Sequence, residues 1–144
     1  MKATQLLNEE HKTIKGLIRH LKSCHDKKTL LGELEEQMTI HRRLEEVLFY
    51  PEVRKIDPAL VDRSLQAYGP IEQILGRLLG MTGEEKEFGE RVNELEQAFN
   101  DHVQNEEGIL FSEVEDRLKG RLDQLGTEMI DLRRKICATL GRAA

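Results

Sequence analysis

The chain contains two stretches that read almost alike, HRRLEEVLF at residues 41–49 and HVQNEEGIL at residues 102–110. Each begins with a histidine and carries a glutamate four residues later: His41 with Glu45, and His102 with Glu106. Residues four apart lie about one turn apart on a helix, so the imidazole and the carboxylate project from the same face. The two stretches therefore predict two helices that present the same pair of polar groups.

Both pairs interrupt a seam of apolar residues. Steps that alternate between four and three residues run through each stretch and are typical of a helix face that lines a bundle core. The two seams are Leu34, Met38, His41, Glu45, Leu48 and Leu95, Phe99, His102, Glu106, Ile109. A carboxylate and an imidazole in a core are costly unless something compensates them, and the natural compensator is a metal.

Length and composition indicate one helical domain, spanning residues 1–144. At 144 residues the chain can bury a real core, and its 34% of charged residues, 4% of aromatic residues and lack of tryptophan favour an all-helical protein. The net charge of −5 and the lack of a Lys/Arg block argue against nucleic acid as a partner.

The N-terminal residues indicate a soluble cytoplasmic protein. Residues 1–5 lead directly into an amphipathic helix, with no signal-peptide core, and no apolar run approaches the roughly 20 residues that span a bilayer. We therefore expect no membrane partner. Cys24 and Cys137 are too few and too far apart to form a disulfide framework.

Periodicity and turn residues predict an up-down-up-down antiparallel four-helix bundle, with a short fifth C-terminal helix packed across one end or flank. Thr4 is the predicted N-cap of the first helix, and Gly69-Pro70 predicts a kink or break in the third. The four main helices are predicted at about residues 4–23, 29–54, 58–79 and 84–118, and the fifth follows Gly120.

All four main helices break their apolar seam with a side chain that can bind metal. His11 does so in the first helix, and Tyr68 and Glu72 do so in the third. Any one of them alone would more often be a hydrogen-bonded core residue or a surface residue. Because a polar network of this size is rarely satisfied internally, the coincidence across four seams predicts a metal site. The candidate ligands are His11, His41, Glu45, Tyr68, Glu72, His102 and Glu106.

The number and type of these ligands indicate the metal. Three imidazoles, three carboxylates and a phenol are too many for one tetrahedral zinc ion. Mixed nitrogen and oxygen donors in a bundle core suit two iron or manganese ions bridged by carboxylates.

The order of these residues resembles the hemerythrin-like, HHE cation-binding family over essentially the whole chain. The matching pattern is His11, then His41-x-x-x-Glu45, then a donor in the third helix, then His102-x-x-x-Glu106. The resemblance implies two iron ions in a non-haem centre, with manganese as the other candidate. It also implies that Glu45 and Glu106 bridge the ions and that the three histidines are terminal ligands.

The chain departs from the family pattern in the third helix, where family members place one histidine or a His-x-x-x-His pair. Here Tyr68 and Glu72 fall at those two positions. Hard anionic donors stabilise ferric over ferrous iron, which argues against reversible dioxygen carriage. We therefore expect a protein that binds or reduces a small oxidant (dioxygen, peroxide or nitric oxide), with peroxide, nitric oxide or redox chemistry favoured.

Two other functions stay open at this stage. One is an iron- or oxygen-responsive sensor whose fold and partner binding depend on metal occupancy. The other is a structural bundle without metal, which would tolerate Glu45→Ala. No catalytic group stands apart from the metal ligands, and the sequence leaves the oligomeric state open.

Overall fold

The computed structural model describes residues 1–141, which are helical with short connections and contain no strand, in agreement with the predicted all-α class. Two five-residue π-helical segments interrupt the α-helices: Glu45–Phe49 joins α2 to α3, and Glu106–Leu110 joins α5 to α6. The α-helices are α1 Ala3–His20, α2 Lys27–Leu44, α3 Tyr50–Arg54, α4 Pro58–Leu79, α5 Phe88–Asn105, α6 Phe111–Arg117 and α7 Leu122–Thr139.

The helices form the predicted four-membered bundle. Its members are α1, the α2–α3 rod, α4 and the α5–α6 rod, and the packed pairs α1 with α2, α2 with α4, α4 with α5 and α5 with α1 close the ring. The fifth helix, α7, packs on the flank formed by α1 and α2. It has 18 residues, as many as α1, and is therefore longer than the short helix predicted from the sequence. None of the helices within residues 1–141 combines the length and apolar character that a bilayer crossing requires.

Several helices begin at residues other than the predicted ones, because local capping hydrogen bonds determine where a helix starts. Thr4 is not the N-cap of α1; it lies buried inside the helix and donates a hydrogen bond to Glu115 at 2.9 Å. Asp26 caps α2 by accepting from the backbone N–H of Thr29. Before α5, the carboxylate of Glu85 accepts hydrogen bonds from Thr82 and Gly83. The backbone N–H of Thr82 donates to both carboxylate oxygens, and the Thr82 hydroxyl and the backbone N–H of Gly83 donate to Oε1. This turn delays the start of α5 to Phe88.

The π segments shift the buried face of both long rods by one residue. In each segment the extra residue per turn moves the helical phase, so the seam resumes one position later than an α-helix would place it. Leu48 is therefore only partly buried and Ile109 is 48% exposed, although both were predicted on the seam. Phe49 and Leu110 are fully buried in their place.

Helix α4 runs without a break through Pro70, so the predicted break is absent. Its buried face also differs from the prediction. Alternating steps of four and three residues from Val61 would place Leu65, Glu72 and Leu79 on the seam together with Tyr68 and Leu75. The observed buried positions are Leu60, Val61, Ser64, Tyr68, Ile71, Leu75 and Leu78. Burying Ile71 instead of the neighbouring carboxylate of Glu72 avoids the cost of desolvating a charge.

Candidate metal centre

Three histidines and two glutamates meet in the middle of the bundle. One potential ligand atom from each of the five lies within 4.8 Å of the corresponding atom of every other. All five side chains are buried, with 0–1% of their surface exposed. The residues are His11 from α1, His41 from α2, His102 from α5, and Glu45 and Glu106 from the starts of the two π segments.

Each glutamate lies between two imidazoles. The Oε1 atom of Glu106 is 3.1 Å from Nε2 of His11 and 3.2 Å from Nε2 of His102. The Oε1 atom of Glu45 is 3.2 Å from Nε2 of His41 and 3.7 Å from Nε2 of His102. The same ring nitrogen, Nε2, of all three histidines therefore faces the carboxylates.

Two tyrosines donate to these carboxylates. The hydroxyl of Tyr68 on α4 donates to Oε1 of Glu45, and the Tyr68 ring lies 4.5 Å from the ring of His102. The hydroxyl of Tyr50, the first residue after the first π segment, donates to Oε2 of Glu106 at 2.6 Å. Helix α4 thus reaches the site through a phenol that hydrogen-bonds a carboxylate. Tyr50 is a second phenol at the site, and it was not among the candidate ligands.

Glu72 lies away from the cluster. Its side chain is 58% exposed and forms an ion pair with Arg42. The seventh candidate faces solvent because α4 buries Ile71 at that turn. The placement of Glu72 on the seam is therefore wrong, and Glu72 is left out of the ligand set proposed below.

Two further glutamates, Glu10 and Glu107, orient the histidines from outside the cluster, and neither was among the candidate residues. Oε1 of Glu10 lies 2.8 Å from Nδ1 of His41, and Oε2 of Glu107 lies 2.7 Å from Nδ1 of His11. Because a carboxylate accepts this hydrogen bond, Nδ1 of each imidazole carries a proton, and Nε2 is the atom left to bind a metal once any proton on it is displaced. Carboxylates behind metal-binding histidines commonly act in this way.

The electrostatics of the cluster favour charge on the imidazoles of His41 and His102. Burial opposes the cation on His41, but Glu45 and Glu10 outweigh it and hold its pKa well above the usual range. Burial likewise opposes the cation on His102, yet Glu106 raises that pKa. Burial and the neighbouring Glu106 raise the pKa of Glu45. Without a metal, the site therefore holds protons that a cation would have to displace.

Burial keeps the two phenols neutral. It is the main cause that raises the pKa of Tyr50 and of Tyr68, and the carboxylate of Glu45 adds to the shift. Both hydroxyls therefore remain hydrogen-bond donors at neutral pH.

Unpartnered atoms at the cluster fit a bound cation. Six buried side-chain atoms of the described residues have no hydrogen-bond partner, and four of them belong to the cluster: Nε2 of His41, both ring nitrogens of His102 and Oε2 of Glu45. An unsatisfied buried polar group costs about 1–3 kcal/mol. A metal ion accepts electron pairs from imidazole nitrogen and carboxylate oxygen, which is what this donor set offers. The residues present therefore fit a metal-binding site.

Aromatic rings lie beside the cluster, and a small cavity borders Tyr68 next to it. Phe99 and Phe111 pack against the ring of His11, with ring centroids 5.9 and 6.1 Å away, and form an aromatic wall. A cavity of about 90 Å³ between α2 and α4 borders Tyr68. The paired side chains of Arg42 and Glu72 line its solvent side.

Comparison with known proteins gives a family match. Residues 2–114 match the sequence model of the family Hemerythrin, described as the Hemerythrin HHE cation binding domain. A crystal structure of a hemerythrin HHE cation binding domain-containing protein from Mycobacterium kansasii superposes with a TM-score of 0.82 at 24% identity. The match covers 94% of this chain and 87% of that one, and it supports the fold.

One curated relative is a protein from Nostoc sp. named DNA nickase, which is 25% identical over 149 residues. The match covers 100% of this chain but only 42% of that protein, so the chain spans less than half the length of this relative. The family match and the buried His/Glu cluster together describe a helical, metal-binding protein. The chain belongs to the hemerythrin family of HHE cation-binding domains.

Proposed function

We propose that this protein is a non-haem di-iron protein that binds or reduces a small oxidant, namely dioxygen, peroxide or nitric oxide. The observation that carries the proposal is the buried cluster of three imidazoles and two carboxylates. Mixed nitrogen and oxygen donors inside a helix bundle suit a pair of iron ions, with manganese as the alternative. Bound iron would supply the electrons that a small oxidant takes up.

The positions of the carboxylates support the division of roles among the ligands. Glu106 lies between His11 and His102, and Glu45 lies between His41 and His102. In each glutamate Oε1 faces both imidazoles, so a carboxylate in this position could contribute to the coordination of two ions. We therefore assign Glu45 and Glu106 as bridging ligands and the three histidines as terminal ligands.

The tyrosines give the protein two protons beside the bridging carboxylates. The hydroxyl of Tyr50 donates to Glu106, and that of Tyr68 donates to Glu45. These bonds fix the carboxylates in place and hold a proton at each phenol oxygen, where a reduced oxidant could take it up. The phenyl rings of Phe99 and Phe111 exclude bulk water from the same region.

The cavity at Tyr68 suits a ligand of very few atoms. Sites for ordinary organic ligands occupy about 300–1,000 Å³. The cavity of about 90 Å³ is smaller, and the apolar side chains of Met38, Ile71 and Leu75 line it. It therefore supports access by a diatomic molecule or peroxide rather than by a larger substrate.

Further expectations concern the compartment and nucleic acid. The thiols of Cys24 and Cys137 are both free, which supports a reducing compartment such as the cytoplasm. The nickase name belongs to a relative of more than twice this length. The net charge of −5 argues against a DNA-directed activity of this chain.

A metal-dependent sensor is the second candidate, and the burial of three imidazoles and two carboxylates in the bundle core favours it. If occupancy controls the fold, chelation should lower the unfolding temperature strongly and expose the bundle to protease. Thermal unfolding with and without ferrous iron measures this dependence. Steady turnover of peroxide or nitric oxide by the iron-loaded protein, together with a fold that chelation leaves unchanged, would favour the oxidant function.

The oxidant function is tested on iron-loaded protein by following loss of peroxide and, anaerobically, of nitric oxide. We expect His102→Ala to lose iron and at least about tenfold in rate, because it removes an imidazole next to both carboxylates. His20→Ala is the matched control, since His20 is exposed and lies nine residues along α1 from His11. Wild-type protein that holds iron but neither binds nor turns over dioxygen, peroxide or nitric oxide would contradict the proposal.

A further inference from the structure

Glu10 is a buried carboxylate that belongs to neither the ligand set nor the aromatic wall. Only 4% of its surface is exposed, and both of its oxygens are engaged. Oε1 accepts from Nδ1 of His41 at 2.8 Å, and Oε2 accepts from Nη1 of Arg133 at 3.1 Å. Arg133 lies on α7, so a continuous chain of charge-assisted hydrogen bonds joins this outer helix to a candidate metal ligand.

The chain of contacts fixes how His41 presents itself to the cluster. Because Glu10 accepts the hydrogen bond from Nδ1–H, Nδ1 keeps its proton and Nε2 is the ring nitrogen that faces the cluster beside Glu45. The guanidinium of Arg133 holds the other oxygen of Glu10 and so fixes the plane of the carboxylate. An imidazole held in one tautomer and orientation binds metal more tightly than one free to rotate.

We propose that α7 is a coupling element: Arg133 and Glu10 position His41, so docking of α7 strengthens metal binding and metal binding strengthens docking of α7. Such coupling is reciprocal by thermodynamic necessity. The inference rests on the metal site of the proposed function but not on the identity of the oxidant. In this account Glu10 and Arg133 are positioning residues, and neither contacts the metal.

Helix α7 lies outside the part of the chain that matches the family model. The family match ends at residue 114, whereas α7 spans Leu122–Thr139. Helix α7 packs against α1 and α2, which carry Glu10 and His41, and against the π segment that begins at Glu45. A ligand or partner that displaced α7 would therefore act directly on the orientation of His41.

His11 supplies an internal comparison. Its Nδ1 atom is also paired with a carboxylate, that of Glu107, but Glu107 is 39% exposed and comes from the second π segment. The Glu107 contact can orient His11 without involving α7. A change at Glu107 should therefore alter metal affinity but leave the link between metal and α7 intact.

The test measures two quantities on the full chain, the dissociation constant for ferrous iron under anaerobic conditions and the hydrogen-exchange protection of α7 with and without iron. We expect Arg133→Met to weaken iron binding about tenfold and to abolish the iron-dependent gain in α7 protection. Arg133→Lys, which keeps a positive charge, should restore part of both. Arg134→Met is the matched control, because Arg134 is exposed and pairs with Asp131 on its own helix.

A double-mutant cycle and the second glutamate separate positioning from general destabilisation. Glu10→Gln combined with Arg133→Met should weaken iron binding no more than the stronger single change, because both act through His41. Glu107→Gln should weaken iron binding yet keep the iron-dependent protection of α7. The visible spectrum of cobalt-loaded protein gives a readout of ligand geometry, and we expect it to change in Arg133→Met and not in Arg134→Met.

Two outcomes would overturn the inference and are distinguishable from each other. Unchanged iron affinity and cobalt spectrum in Arg133→Met, in a wild-type background that binds iron, would refute the coupling and leave the proposed function standing. Absence of iron and cobalt binding by the wild-type protein would remove both the coupling and the proposed function.

Discussion

At the scale of single residues, the sequence predicts which donor side chains share a face of one helix. It does not predict contacts between residues on different helices. Each His-x-x-x-Glu repeat places one histidine and one glutamate on the same helix face, and the structure brings these four side chains together with His11. Glu10 escaped prediction because its partners, His41 and Arg133, lie 31 and 123 residues away along the chain. No local pattern contains such pairs.

Substitution of Tyr68 tests whether its phenol binds iron or only hydrogen-bonds a carboxylate. Its hydroxyl donates to Glu45, so we expect oxidised, iron-loaded protein to show no phenolate-to-iron charge-transfer band. Tyr68→Phe should keep the wild-type iron content and lose about 1–3 kcal/mol of unfolding free energy, since Glu45 loses a buried donor. Visible absorption, iron analysis and urea unfolding check these points, with Tyr50→Phe for comparison.

A different result would restore the ligand role that the sequence suggested for Tyr68. If the wild-type protein shows a visible charge-transfer band and Tyr68→Phe abolishes it, the phenolate oxygen binds iron directly. The hydrogen bond to Glu45 would then not describe the loaded site.

At the scale of elements, helix positions were predictable and helix phase was not. Two buried faces fit the apolar repeat of α4, and both contain Val61, Tyr68 and Leu75. One adds residues 65, 72 and 79 and the other adds residues 64, 71 and 78, so the repeat alone does not choose between them without the neighbouring helices. The π segments also left no signal in composition. They begin at Glu45 and at Glu106, the two proposed bridging residues, in keeping with the frequent occurrence of π-bulges at functional sites.

Docking of α7 against the N-terminus depends on Gly126. A Cβ atom at this position would overlap the carbonyl oxygen of Met1 and crowd the backbone of Ala3. We expect Gly126→Ala to cost about 1–3 kcal/mol of unfolding free energy, because backbone must move to admit it. Gly16→Ala, on an exposed face of α1 with open space around it, should instead stabilise by up to about 1 kcal/mol. Urea unfolding compares the two, and equal effects would contradict the close packing of α7.

The turn before α5 gives a pH-dependent contribution. Hydrogen bonds from the backbone of Thr82 and from its own backbone lower the pKa of Glu85 to about 2, from an ordinary value of 4.5. A carboxyl whose pKa is depressed in the folded state stabilises above its unfolded value, and the contribution disappears as the pH falls toward 2. We therefore expect Glu85→Gln to be less stable than wild type at pH 7, with the difference shrinking between pH 4.5 and 2.

Urea unfolding at several pH values measures the Glu85 effect. Glu84→Gln is the control, since Glu84 is an exposed neighbour in the same turn, and it should follow the wild-type pH dependence. A Glu85→Gln variant that loses stability in parallel with wild type down to pH 2 would show that the capping contacts contribute nothing.

At the scale of the whole molecule, the bundle and its polar layer follow from the same seams. Alternating steps of three and four residues define four apolar faces, and these faces can be buried only against one another. The polar residues on the seams then necessarily meet, as His11, His41 and His102 do. The fifth helix was predicted as an attachment, but its link to the site through Arg133 required the three-dimensional structure.

Metal content per chain tests the central claim most directly. Protein expressed with adequate iron should contain close to two iron ions per chain by elemental analysis, because the three imidazoles and two bridging carboxylates are proposed to hold a pair. Glu45→Gln, which removes a proposed bridge, should lower this value well below the wild-type one. Less than about a tenth of a metal ion per chain in stable, folded wild-type protein would contradict the account, since the buried cluster would then be satisfied without metal.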